Sequence, residues 1–378
     1  METTETPVGI MATSNAPASY PIEWMVEPYL HCEDGYLYNP LTDKTLGIQE
    51  VGYHELRSVL DKEVAVAQVI SLDLQLKLAE AGWLVPPSPR LDQRFRLKYV
   101  SLEAHTVCNQ SCFFCPVSVA PREAHFMPSE QYRDIVHQLA DYRDTIEAVF
   151  MLSYNEPTLD RRFVEQVALL KANGLPPAIN TNATGLTPQR VDALLEMGGV
   201  RYLSVNLSTL SASRYEHDRG KDQLDLVLHN LDYLKDLPVA DQMDVAVLGT
   251  GDLTHKFEFW RISHHFRGSR LQVKFFKVMD RAGFLDVGLK VVSTSVRLCG
   301  CENVGSRPLQ HLHITPHGQC VMCCQDYQAR HLVGDLNRQT VAEVLVGPEM
   351  AQVRRWTYGL DDAPADFLCR RCIFARIR

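Results

Sequence analysis

The sequence predicts an α/β fold: a partial (β/α)6 TIM-like barrel, preceded by a small α+β unit and followed by a cysteine-rich C-terminal unit. Three observations predict it. Between Tyr99 and about Val278, short β-rich runs alternate with amphipathic helices. Ten of the eleven cysteines fall in two groups, 108–115 and 299–372. A Pro-rich segment, PPSPR at 86–90, separates the first 85 residues from the alternating region.

Length and charge bound the rest. At 378 residues with 46% hydrophobic composition, the chain suffices for two or three domains. Its formal net charge of −8 argues against nucleic acid or an anionic membrane as main partner, because both select for surplus Lys and Arg. Arg370, Arg371, Arg376 and Arg378 read as a solvated tail. The N-terminal METTETPVGIMATSNAPAS lacks the basic and apolar segments of a secretory signal, and no window approaches the ~18 apolar residues of a membrane span. A cytoplasmic chain is therefore expected. In that reducing compartment an odd number of cysteines points to metal binding or catalysis and not to disulfides.

Residues 1–20 read as a disordered lead, and 21–90 as an independent unit. YLHCEDGYLYNP forms a hairpin turning at Asp34-Gly35. YHELRSVL places Tyr53, Leu56, Val59 and Leu60 on one helical face. SLDLQLKLAEAGWLV alternates like a strand, but its helix formers and a C′ glycine at Gly82 favour a helix, with Trp83-Leu84-Val85 a short strand after it.

The barrel is expected over 97–283, with strands at YVSLEA, IEAVFML, PAINTNA, VRYLSVNLS, MDVAVLG and LQVKFFKV. Between the first two, Pro128 suits a first helical turn, and Tyr132, Ile135, Val136 and Leu139 make one apolar stripe. Parallel neighbours need crossover helices, and such barrels carry their chemistry at the C-terminal ends of the strands.

The segment AHTVCNQSCFFCP begins where the first barrel strand ends and spaces Cys108, Cys112 and Cys115 as Cys-x3-Cys-x2-Cys. Three thiolates on one short loop suit a four-iron cube and leave one iron without a protein ligand, an opening that catalysis requires. A zinc site is the alternative, although a second cysteine pair close in sequence is missing. Toward the C-terminus, Cys369-x2-Cys372 is a compact ligand pair, and HITPHGQCVMCCQDY reads as a hairpin turning at His317-Gly318 that delivers Cys323.

The three-cysteine motif on this barrel pattern resembles the radical S-adenosylmethionine (SAM) superfamily. The resemblance implies that the open iron binds the amino and carboxylate groups of SAM, whose reductive cleavage yields a 5′-deoxyadenosyl radical. It implies that Phe114 lies against the adenine. MLSYNEPTLD resembles the family's Gly-Gly-Glu-Pro element: Glu156 and Pro157 match, while Tyr154 and Asn155 stand where glycines are usual. Asn180 and Asn182 after the third strand, and Ser204, Asn206 and Ser208 on the fourth, sit where the family binds ribose and carboxylate. An electron donor such as flavodoxin or ferredoxin is also implied.

Residues 284–378 resemble the auxiliary-cluster modules called SPASM and twitch. The longer cysteine run of a full SPASM module is missing, so the resemblance implies the twitch version: one auxiliary [4Fe-4S] cluster on Cys301, Cys323, Cys369 and Cys372. Cys299 could replace Cys301, and Cys324 could replace Cys323, since adjacent cysteines cannot be separated by spacing. Cys320 and Cys32 read as small buried hydrophobes. A structural zinc is the alternative here too. Candidate groups for substrate deprotonation are His105, Tyr154, Asp326 and Tyr327.

The N-terminal unit resembles the winged-helix-like peptide-recognition domain of radical SAM peptide maturases, which captures a leader peptide as an added strand. The expected function is therefore modification of a ribosomally made peptide by hydrogen abstraction, as a crosslink, an epimerisation or an oxidation. Two alternatives stand beside it. One is a dehydrogenase or epimerase of a small molecule such as an aminocyclitol or sugar in natural-product biosynthesis, and the other is a non-catalytic zinc-binding protein.

Overall fold

The computed structural model describes residues 23–288, 295–303 and 306–377, so the expected disordered lead and Arg378 lie outside the described residues. The chain divides into two compact units, 1–94 and 95–378.

In the first unit, strands β1 (Met25–Val26), β2 (His31–Glu33), β3 (Tyr36–Asn39) and β4 (Lys44–Gly47) precede helices α1 (Tyr53–Lys62), α2 (Val66–Val69) and α3 (Leu72–Glu80), and β5 (Leu84–Val85) closes it. β2, β3 and β4 form an antiparallel sheet in that order, while β5 returns to pair with β1. The hairpin turns at Asp34-Gly35 because Gly35 supplies the φ of +94° that the two-residue turn demands. The Leu alternation of 72–80 resolves as a helix, which buries Leu78 while Leu72 and Leu76 stay exposed. Tyr53, Leu56 and Val59 bury the inner face of α1 against Leu37, Trp83 and Leu84, and Leu60 packs at its margin. The unit ends four residues after the Pro-rich segment, since Arg94 reaches back with two hydrogen bonds, 2.7 and 2.8 Å, to the buried carboxylate of Glu27.

In the second unit the six barrel strands are β6 (Tyr99–Leu102), β7 (Ala148–Phe150), β8 (Pro177–Thr181), β9 (Val200–Asn206), β10 (Ala240–Gly249) and β11 (Gln272–Lys277). Between them run α4 (Ser129–Leu139), α5 (Phe163–Ala172), α6 (Pro188–Glu196), α7 (Ala212–Arg219), α8 (Leu224–Leu234) and α9 (Leu253–His265). Pro128 caps α4 from just outside it, and the stripe Tyr132, Ile135, Val136 and Leu139 is buried as expected. The C-terminal elements are β12 (Leu298–Cys301), α10 (Arg307–Gln310), β13 (His311–Ile314), β14 (Gln319–Val321), β15 (Leu332–Asp335), α11 (Val341–Val346), α12 (Pro348–Thr357) and β16 (Ala375–Ile377).

The sheet has nine strands in the order β11-β10-β9-β8-β7-β6-β13-β14-β15. The barrel strands are parallel, and β13 joins β6 in parallel, so the C-terminal hairpin β13–β14 extends the barrel sheet. β12 and β16 form a separate antiparallel pair. One face of the sheet is apolar: Val100, Val149, Ile179, Leu203 and Val245 share it by register and merge into the core with the helices. The other face is polar, and places Asn180 beside Ser204, Ser204 beside Asp244, and His313 beside Ser101. Among the described residues no helix is long and apolar enough to cross a membrane.

Candidate active site

The loop after β6 carries Cys108, Cys112 and Cys115 and is pinned against the end of α7. The amides of Ser111 and Phe113 donate to the carbonyls of Arg219 and Asp218 at 2.9 and 3.1 Å, which satisfies carbonyls that a helix end leaves free. Gly220 ends the helix at φ +67°, a conformation glycine adopts without strain, and a Cβ there would lie 2.2 Å from Ser111 Oγ and force that hydroxyl to turn away. On the other side, Glu156 N donates to Val107 O at 3.0 Å.

Arg219 is one of the largest fully buried side chains and went unnoticed in the sequence. Its guanidinium donates to Cys112 Sγ at 3.6 Å, to Ser208 Oγ at 3.0 Å and to Asn206 O at 3.3 Å, and lies 4.9 Å from the Phe114 ring centre. Burial pushes the Cys108 thiol up to about 12, and burial raises Cys115 as well. Such thiols give up their protons to a metal centre and hold them otherwise.

Around this loop the structure gathers most of the residues singled out for SAM. Phe114 packs against Val278, Leu285 and Val287. The Glu156 carboxylate is buried and engaged by four donors of this chain: Thr158 N, Thr158 Oγ1, Thr181 Oγ1 and Asn182 N, at 2.6 to 3.1 Å. Glu156 thus ties the end of β7 to the end of β8. Asn155 contacts His105 Nε2 at 3.4 Å, and Asn182 donates to Asn109 Oδ1 at 2.8 Å. The Oδ1 atoms of Asn180 and Asn206 are buried and have no partner among the described residues, which leaves acceptors facing the polar side of the barrel.

The C-terminal thiols converge on a second place. Cys301, Cys323, Cys369 and Cys372 line one pocket with Arg307, Asn303 and Gln325. Cys301 arrives there because it ends β12 opposite Ala375 of β16, three residues after Cys372. Cys369 and Cys372 share one turn, with Cys372 N donating to Cys369 O at 3.3 Å. Burial raises all four thiols, Cys323 and Cys369 furthest and Cys372 to about 12. Cys299 and Cys324 do not line the pocket, although Cys324 acts electrostatically on Cys301 and Cys372. Cys320 is fully buried in the apolar core, and Cys32 packs at the margin of the first unit's core.

Tyr154 and Arg281 connect the two places. The Tyr154 hydroxyl donates to the Cys324 carbonyl, and its ring lies 5.4 Å from the Arg281 guanidinium and 5.8 Å from that of Arg122. The strongest electrostatic partners of Arg281 are Tyr154 and the thiols of Cys324, Cys115 and Cys323, with no carboxylate among them. Its Nε is buried without an acceptor among the described residues, and Arg281 and Ala282 both hold left-handed backbone, φ +53° and +55°. Arg122, by contrast, makes two hydrogen bonds to Glu103, at 2.9 and 2.6 Å. Sequence carried no signal for Arg281 or Arg122, since isolated arginines on loops have no period to betray them.

The candidate bases separate. Asp326 accepts the amides of Arg330 and His331, at 3.0 and 2.7 Å, one on each carboxylate oxygen, which makes it a loop brace. His105 is fully buried, its pKa lowered by that burial, and its Nδ1 accepts from Val107 N at 3.1 Å. The Tyr327 ring meets Tyr154 edge-on at 4.8 Å, and its hydroxyl donates to Ala120 O. Burial raises the Tyr154 pKa.

Both thiol sets fit iron–sulfur centres. Their donors are all sulfur, the ligand iron–sulfur cubes select. Among the described residues no three His, Cys, Asp or Glu side chains close on a single-ion site. Arg281, whose buried Nε has no acceptor among the described residues, would place positive charge beside an anionic cluster.

Comparison with known proteins agrees. A model of the radical SAM superfamily matches residues 102–258, and a model of an iron–sulfur cluster-binding domain, SPASM, matches residues 301–373. The S-adenosyl-L-methionine-dependent 2-deoxy-scyllo-inosamine dehydrogenase of Niallia circulans is 21% identical over 288 residues, 75% of this chain and 94% of the relative. The mycofactocin maturase MftC of Mycolicibacterium smegmatis is 23% identical over 197 residues, 50% of this chain and 48% of the relative. Among solved structures, SuiB of Streptococcus suis bound to its precursor peptide SuiA has a TM-score of 0.56 at 12% identity, covering 92% of this chain and 93% of that one, a likeness of fold. The chain belongs to the radical SAM superfamily and is an enzyme of that type, with a SAM-binding four-iron cluster in its barrel and an auxiliary cluster in its C-terminal domain.

Proposed function

We propose that Cys108, Cys112 and Cys115 hold the SAM-binding cluster, and that Cys301, Cys323, Cys369 and Cys372 hold one auxiliary four-iron cluster within a twitch-type domain over 284–378. When bound, the first cluster supplies the electron that cleaves SAM and so starts radical chemistry. The chain's own residues set the stage for it. Arg219 holds Cys112 and the end of β9 in one arrangement, Glu156 ties the end of β7 to the end of β8, and Glu103 holds the Tyr154 amide. Phe114 gives an apolar surface for the adenine, and the unpartnered Asn180 and Asn206 oxygens accept from ribose. Tyr154 and Arg281, between the two thiol sets, orient the substrate and exclude water.

The substrate we propose is a ribosomally made peptide, modified by hydrogen abstraction. One observation carries this: residues 23–94 pack as their own unit, with a three-stranded antiparallel sheet whose β2 and β4 are edge strands, backed by three helices. An extended leader can add to such an edge through main-chain hydrogen bonds. SuiB, bound to a precursor peptide, and MftC, a maturase, are in keeping with it. A small-molecule oxidation is the second reading, favoured by the buried Arg281 donor and by the Niallia dehydrogenase. An electron donor such as flavodoxin or ferredoxin and a cytoplasmic location complete the proposal.

The test uses the full chain, reconstituted without oxygen and containing about eight irons. A synthetic peptide from a short open reading frame beside the gene should bind in the micromolar range. The same peptide, deuterated, should pass its label into 5′-deoxyadenosine. If it neither binds nor transfers label, while an aminocyclitol does transfer it, the second reading replaces the first.

A further inference from the structure

Residues 278–287 run between the two sets of thiols. Val278, Leu285 and Val287 pack on Phe114 of the three-cysteine loop. Met279 Sδ accepts from Gln325 Nε2 at 3.8 Å, and Gln325 lines the four-thiol pocket and donates its amide to Cys323 Sγ at 3.4 Å. Arg281 has electrostatic partners in both sets, Cys115 in one and Cys323 in the other. Asp280 stands between these anchors and acts electrostatically on the Cys372 thiol. It thus lies in the region that the proposed substrate occupies.

The backbone after Asp280 is strained. Arg281, Ala282 and Gly283 hold left-handed φ in succession, +53°, +55° and +82°, a run that L-residues avoid. The turn is closed by Leu285 N, which donates to Asp280 O at 2.8 Å, and by Phe284 N, which donates to Arg281 O at 3.3 Å. Strain of this kind is kept at sites where the geometry serves function.

Asp280 is 2% exposed, and only half of its carboxylate is engaged. Oδ1 accepts the amide of Ala282 at 3.1 Å, whereas Oδ2 has no partner among the described residues. The neighbouring arginine does not quench it, since Arg281 Nε also lacks an acceptor. Glu103, Glu156 and Asp326, by contrast, have a donor on each carboxylate oxygen. Asp244 Oδ1 is the other buried carboxylate oxygen left bare, but Asp244 belongs to an ion pair in the middle of β10, its Oδ2 held by Tyr202, Lys274 and Gln242 at 2.6, 2.6 and 3.2 Å. A bare buried oxygen is costly unless a ligand brings it a donor.

We propose that Asp280 is the proton acceptor of the reaction, with its Oδ2 on the substrate between the two centres. The proposal rests on the substrate lying between the two thiol sets, as above, and holds for either substrate class. The 5′-deoxyadenosyl radical takes a hydrogen atom from a substrate carbon and becomes 5′-deoxyadenosine. The substrate radical then loses a proton to Asp280 Oδ2 and an electron to the auxiliary four-iron cluster. The proton leaves an X–H group of the substrate, and the electron pair of that bond forms the new bond from X to the radical carbon. The substrate is oxidised by two electrons in all, one carried off with the hydrogen atom and one taken by the cluster.

The experiment compares wild type, Asp280→Asn and Asp280→Glu as reconstituted full chains. Asparagine keeps the acceptor for Ala282 N, so each variant should hold about eight irons. Without substrate, removing an ionised carboxylate beside Cys372 favours the more negative, reduced cluster, and the auxiliary midpoint of Asp280→Asn should move upward in a redox titration. The deuterated probe is the synthetic peptide or the aminocyclitol, whichever labels 5′-deoxyadenosine with wild type. Asp280→Asn should still pass label within about threefold of wild type while product falls about 100-fold or more, and Asp280→Glu should recover part of the product. An unchanged midpoint, or product from Asp280→Asn within about tenfold of wild type, overturns the proposal. So does a loss of about four irons in Asp280→Asn, since the carboxylate then props the auxiliary cluster. A wild type that takes label from neither probe would strike the substrate reading instead, with the midpoint still deciding Asp280.

Discussion

Arg219 Nη1 stands 3.6 Å from Cys112 Sγ, and the backbone carbonyl of the same arginine accepts the amide of Ser111 at 2.9 Å, so one residue of α7 grips the cysteine loop by side chain and main chain together. Replacing the side chain should leave the main-chain grip and remove the charge. Arg219→Ala is expected to lower SAM cleavage about 10- to 100-fold, the usual effect of losing a partner of a metal ligand, with Arg219→Lys falling between. Cleavage rates alongside iron content of the first centre check it, and wild-type rates in Arg219→Ala would refute the role.

Gly220→Ala probes the main-chain grip. The left-handed φ of +67° costs an alanine about 1–2 kcal/mol, before the contact with Ser111 is counted. Urea unfolding should show that loss, and Ser111→Gly in the same chain should recover only the contact part.

The pocket of four thiols makes a counting prediction. Cys301→Ser or Cys369→Ser should reduce reconstituted iron from about eight to about four per chain, while Cys299→Ser keeps about eight. Iron and sulfide assays with electron paramagnetic resonance decide it. Equal loss in Cys299→Ser would reassign the ligand.

Arg281 bears on the electronics of that pocket. A buried cation near Cys323 and Cys324 favours the reduced, more negative cluster, so Arg281→Gln should move the auxiliary potential downward. A redox titration with an unchanged midpoint would show that the guanidinium serves substrate alone.

His311 and His313 stack at 4.2 Å on the polar face of the barrel, and burial holds both well below the ordinary histidine value, hence neutral. The unfolded chain takes up protons as pH falls below about 6.5, whereas the folded chain does not. Stability conferred by their neutral burial is complete above that pH and declines beneath it, by up to about 1.4 kcal/mol per pH unit for each histidine. Chemical unfolding at pH 7 and pH 5 should show the decline, and His313→Gln should flatten it.

The six barrel strands were legible because β-rich runs of six to nine residues recur along the chain, and Cys-x3-Cys-x2-Cys was legible because its three thiols lie within eight residues. The pocket of Cys301, Cys323, Cys369 and Cys372 was legible in part: spacing named the cysteines, but only the pairing of β12 with β16 separates Cys301 from Cys299. The bracing of the loop by Asp326 was not legible, because sequence shows a carboxylate and not the two amides that it accepts. Arg219, Arg122 and Arg281 could not be found, since what distinguishes them is three-dimensional burial without periodicity. The shared sheet of barrel and C-terminal hairpin was hidden for the same reason, β6 and β13 lying more than 200 residues apart.

That last pairing has a consequence for biosynthesis. A ribosome releases β6 about 210 residues before β13, so one flank of the first barrel strand stays open throughout most of translation. The nascent chain carries its first three cysteines on a half-finished scaffold until the β13–β14 hairpin closes that flank. Polypeptides stalled or clipped before residue 311 would present a bare strand edge to the cell, the feature that chaperones and proteases recognise.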